Sequence, residues 1–88
     1  MRTILICKDD QDYTRDVLTW MKDFEHQAGT GLIEEINPET AEGENLVTAY
    51  DLLEYPAIMV LADDGSVVQM WKGMPLPSPD EVSYFARQ

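Results

Sequence analysis

Residues 57–72 read AIMVLADDGSVVQMWK, and this stretch decides the fold. Ala57 to Ala62 is a continuous apolar run, the form a strand takes when both of its faces are covered. Asp63-Asp64-Gly65 is hairpin chemistry, with glycine supplying the positive φ that such turns need. Ser66 to Lys72 then returns as the antiparallel partner. In the other direction, Asn37-Pro38 reads as an N-cap followed by proline at the first helical position. That predicts a helix from there to about Leu53, with Gly43 marking an irregular start. Gly31 to Ile36 reads as a strand interrupted by two glutamates. Before it, Tyr13, Val17, Trp20, Met21, Phe24 and Ala28 recur at three- and four-residue spacing. They form one apolar stripe on a helix of about four turns, ended by Gly29 and Gly31. The polar run at 8–16, KDDQDYTRD, carries carboxylates suited to capping that helix and facing its dipole. Thr3 to Cys7 is a short isoleucine-rich strand, apolar on both faces.

Beyond the hairpin, Gly73 to Pro77 is a proline-rich loop. Ser78-Pro79-Asp80-Glu81 is a capping box, opening a last helix that carries Val82, Phe85 and Ala86. The predicted order is βαβαββα in a single domain spanning residues 1–88. The first half is a βαβ unit, which requires a parallel pair and a right-handed crossover. The second half adds a hairpin. The fold class is therefore α/β: a four-stranded mixed sheet with helices on both faces.

Charge narrows the function. Six basic residues stand against 17 acidic ones, for a net charge of −11. Nucleic-acid binding draws on cations that neutralise phosphates, and an anionic membrane surface attracts polybasic segments. Neither partner is expected; a basic protein or peptide is what this charge admits. Cys7 is the only cysteine, so no internal disulfide and no cysteine-rich metal site can form. Secreted domains of this size usually need such staples, which points to the cytoplasm. Asp9, Asp10 and Asp12 do not follow a calcium-loop pattern, because Glu25 stands too far along to close it. Helix capping is the simpler reading of these three. His26, the one histidine, falls in the last turn of its helix, where it complements the dipole. No metal and no cofactor is expected.

The order of elements resembles the thioredoxin fold, and local motifs agree. Tyr50-Asp51-Leu52-Leu53-Glu54-Tyr55-Pro56 is similar to the family's run from its second helix into a cis-proline, with a tyrosine six residues before it. Ile36-Asn37-Pro38-Glu39-Thr40-Ala41 also resembles a family segment, at a longer distance from the proline. The apolar strand, the DDG turn and Gly73 follow in the family's order. Lys8 and Tyr13 match positions that glutaredoxins use around their C-x-x-C. Here that motif reads Gln11-Asp12-Tyr13-Thr14, so glutamine and threonine replace both cysteines.

This loss decides the expected chemistry. Disulfide exchange starts with a thiolate attacking sulfur, and a helix N-terminus supplies it by lowering a thiol's pKa. An amide or a lone hydroxyl offers nothing comparable. The resemblance therefore implies a redox-inactive, non-catalytic interaction module. Its groove would lie between Gln11, Tyr13 and Thr14 on one side and Tyr55 and Pro56 on the other. There the residue before the proline pairs with an extended peptide through its backbone. The alternative is a thiol- or glutathione-dependent enzyme using Cys7 and Lys8, which needs Cys7 exposed. As a small apolar residue in a central strand, Cys7 is more simply core. Trp20 is expected in the core. Met70, Trp71, Met74 and Leu76 are expected to pack under the last helix.

Overall fold

The computed structural model describes residues 2–8, 11–29 and 31–86. Asp9 and Asp10, read above as helix caps, lie outside the described residues. Seven elements follow in order: β1 (Arg2–Ile6), α1 (Thr14–Ala28), β2 (Glu34–Ile36), α2 (Ala41–Tyr50), β3 (Ala57–Leu61), β4 (Val67–Lys72) and α3 (Pro79–Ala86). The strands form one mixed sheet in the order β2-β1-β3-β4. β1 runs parallel to β2, with Ile6 opposite Ile36, and antiparallel to β3, with Leu5 opposite Ile58. β3 and β4 pair antiparallel with an irregularity at Val60 and Leu61.

All five residues of β3 and four of the five in β1 are buried, as continuous apolar runs in central strands require. Their side chains alternate between two cores. Ile4, Ile6, Ala57, Met59 and Leu61 join Ile36 and Leu52 on one face, against Leu46, Val47 and Tyr50 of α2. Leu5, Cys7 and Ile58 join Val17, Trp20, Phe24 and Val82 on the other, under α1 and α3. The α1 stripe falls where its spacing places it. Trp20 and Phe24 stack at 5.3 Å, and the Trp20 indole N–H donates to the Pro77 carbonyl at 2.6 Å. Gly29 ends α1 at φ 107°, and its N–H donates to the Glu25 carbonyl. The hairpin turn closes with Gly65 at φ 89°, while Asp64 Oδ1 accepts from the Ser66 N–H and hydroxyl.

Three boundaries differ from the sequence reading. Asn37 does not cap α2. Its Oδ1 accepts from the Glu39 N–H two residues on, an Asx turn that competes with helix formation. Thr40 is the cap instead, its hydroxyl oxygen accepting from Gly43 N–H at 3.0 Å, and the helix ends at Tyr50 rather than Leu53. Carboxylates do not cap α1 among the described residues. Tyr13 occupies the N-cap position without a side-chain cap. β2 is three residues rather than six, because only Ile36 of its residues is buried. Glu34 is tolerated at the sheet margin, where Arg2 grips it from the neighbouring strand at 2.9 and 3.0 Å.

The outer apolar residues divide. Trp71 meets Phe85 of α3 edge-on at 5.7 Å, and Leu76 packs on the same core. Met70 lies against the opposite core, and Met74 is exposed, so these four do not share one packing surface under α3. Among the described residues, no helix is long and apolar enough to cross a membrane.

Candidate functional site

The segment between β1 and α1 folds back on itself. Gln11 N–H donates to the Thr14 hydroxyl at 2.9 Å, and Thr14 N–H donates to the Gln11 carbonyl at 3.1 Å. This closed turn delivers the chain into α1, where Val17 N–H donates to the Tyr13 carbonyl at 2.9 Å. Tyr13 reaches back across the entry, and its hydroxyl accepts from the Lys8 N–H at 3.0 Å. Lys8 is thereby held at the end of β1, and its ammonium sits 5.3 Å from the centre of the Tyr55 ring. That cation–π contact links the front of α1 to the loop that precedes β3.

Tyr55 and Pro56 form that loop's end. The Tyr55–Pro56 peptide is cis. Pro56 is buried, and its carbonyl accepts from Gly73 N–H at 2.8 Å. Tyr55 is half-buried, and its ring packs against the α2-side core. Among the described residues, neither the N–H nor the C=O of Tyr55 takes part in a hydrogen bond. Its main-chain donor and acceptor therefore stand beside an apolar ring with no partner among the described residues. The Met74–Pro75 peptide in the following loop is also cis.

The expected site residues do not line one groove. Lys8 and Tyr55 line a hollow of about 330 Å³ with Pro38, Glu39, Glu44, Val47 and Thr48. Gln11 and Thr14 line a separate depression of about 560 Å³ beside Asp12, Arg15, Asp16 and Leu18. Tyr13 and Lys8 are the residues that connect the two halves. The front of α2 was missed in the sequence. Glu44, Val47 and Thr48 stand three and four residues apart and so share a helix face; that spacing was the available signal.

Cys7 lies just past β1 and is 6% exposed. Its thiol is part of the core under α1 and α3, and Sγ sits 3.7 Å from Glu35 Oε1. The arrangement offers no open sulfur for attack. His26 is exposed at the far end of α1.

No protein-family model matches this chain, and no curated protein matches it. Among solved structures, one described only as a malarial protein superposes with a TM-score of 0.66. The match covers 97% of this chain and 91% of that one at 12% identity. At that identity the likeness concerns the fold alone.

Proposed function

We propose that this chain is a thioredoxin-like domain that has given up dithiol chemistry and serves as a protein- or peptide-interaction module. The observation that carries this reading is the main chain of Tyr55, without a hydrogen-bond partner among the described residues, beside the hollow that Tyr55 lines with Lys8 and Val47. An extended peptide pairs with such a residue as with a strand edge, donating to its C=O and accepting from its N–H. The strand order β2-β1-β3-β4, with two helices on one face and one on the other, supports the thioredoxin-like assignment. Absence of sulfur from residues 11–14 and burial of Cys7 support the non-catalytic one. The bound peptide lays a side chain over Pro38 and Val47, while the net charge of −11 favours a basic sequence.

Two measurements test this. Insulin disulfides should survive the purified protein with dithiothreitol at the background rate; accelerated reduction overturns the non-catalytic reading. Peptides selected by display on the immobilised protein should be basic and extended, and their binding should slow hydrogen exchange at the Tyr55 amide. Selected peptides that leave the Tyr55 amide unprotected overturn the binding mode.

A further inference from the structure

A second hollow lies elsewhere and shares no lining residue with the Tyr55 site. It holds about 280 Å³ between α1 and the loop before α3, lined by Asp16, Thr19, Trp20, Asp23, Met74 and Leu76. Trp20 lines it with a ring fixed twice: by its stack on Phe24 and by its hydrogen bond to Pro77. Met74 is 47% exposed, so an apolar rim remains open to solvent. Asp16 and Asp23 line it too, seven residues apart on one helix. Among the described residues neither side chain has an ion-pair or hydrogen-bond partner. No described cation lines this hollow, unlike the Tyr55 site, which Lys8 lines.

From this juxtaposition we infer that the Trp20 hollow receives a short extended segment of a protein partner, with an apolar residue at its centre and arginines two positions before and after it on the same face. The apolar side chain rests on Trp20, Met74 and Leu76, and the flanking arginines reach Asp16 and Asp23. The geometry is compatible in scale. Seven residues of helix rise about 10.5 Å. In an extended segment alternate residues share a face, so the two arginines stand about 13 Å apart, and their side chains take up the difference. Arginine suits the site better than lysine, because its planar guanidinium pairs with a carboxylate and packs on an aromatic ring at once. A ring already held in place lowers the ordering cost of binding, while exposed ion pairs alone contribute little. Affinity should therefore require both the apolar centre and the two charges.

The test is a titration of the ¹⁵N-labelled protein with acetyl-Arg-Thr-Leu-Thr-Arg-amide, read at the Trp20 indole N–H and at the backbone amides of residues 16–23. Saturable shifts at those positions are expected. Acetyl-Arg-Thr-Ser-Thr-Arg-amide and acetyl-Glu-Thr-Leu-Thr-Glu-amide should each bind at least about fivefold more weakly, and the double variant D16N/D23N should weaken the first peptide similarly. Both aspartates are exposed, so the variant should keep the parent spectrum elsewhere. Equal response to the serine peptide overturns the apolar contact. Unchanged affinity in D16N/D23N overturns the ionic one, and shifts confined to Lys8 and Tyr55 overturn the site while leaving the Tyr55 reading intact.

Discussion

The two faces of the sheet are built to different specifications. Under α1 and α3 the core is sealed by large rings: Trp20 on Phe24, and Trp71 against Phe85. Val17, Trp20, Phe24 and Val82 are all buried there. The other face has one ten-residue helix, α2, in which Gly43 is the one buried residue. Leu46, Val47 and Tyr50 are only half-buried, and Leu53 just beyond the helix is 79% exposed. A short helix with a narrow apolar face covers less of a sheet. The hollow beside Tyr55 opens at the front of that same helix. Packing is thus tighter under α1 and α3, while α2 leaves its own apolar side chains half-covered.

Truncating Phe24 should break the sealed face most severely. Phe24→Ala removes a fully buried ring and should cost about 3–5 kcal/mol, read as a loss of midpoint in urea unfolding. Leu46→Ala on the α2 face should cost clearly less, about 1 kcal/mol, because half-buried side chains lose less transfer energy. Equal losses would erase the contrast between faces. Next in size is Gly43→Ala. A Cβ there would collide with the Asn37 carbonyl oxygen and come within 2.7 Å of Pro38 Cα. Alanine is the better helix former by about 1 kcal/mol, yet overpacking should win and destabilise by about 1–3 kcal/mol. A raised thermal midpoint in this variant would show that α2 floats on its face rather than being docked through Gly43.

Smaller still is Tyr50→Phe, which deletes the hydroxyl that donates to the Gly65 carbonyl at 2.7 Å. It should cost about 1 kcal/mol and raise hydrogen exchange in the 63–66 turn, sharpening the role of α2 as an anchor for the hairpin. The least effect belongs to the margin of the sheet. The Arg2 hydrogen bond holds the Glu34 carboxyl below its ordinary range, and nearby positive charge adds to this. A lowered folded-state pKa means the pair stabilises above the unfolded value of about 4.3. That contribution is lost as pH falls through the lowered folded value. Both side chains are 48% exposed, so screening leaves about 0.5 kcal/mol or less. Arg2→Gln should flatten stability between pH 6 and 3 by that small amount, measured by urea titration at each pH.

Much of this was legible beforehand because it depends on local pattern. The run Ala57 to Leu61 could only be a doubly covered strand, and the Tyr13-to-Ala28 spacing could only stripe one helix face. Asp64-Gly65 dictated a turn by chemistry internal to four residues. The start of α2 was misread because Asn37 can either cap a helix or close an Asx turn. Its choice depended on Thr40 competing for the same role and on Gly43 settling against the 37–38 backbone.

Sequence alone therefore determined the element order, the two apolar registers of the sheet and the absence of sulfur where α1 begins, since each rests on residue identity and short-range periodicity. Tertiary structure decided what lies beside what. It put the Cys7 thiol into the core, set the Lys8 ammonium on the Tyr55 ring, and parted Gln11 and Thr14 from the hollow that Tyr55 shares with α2. Those outcomes turn on distances between segments remote in the chain, which no local pattern encodes.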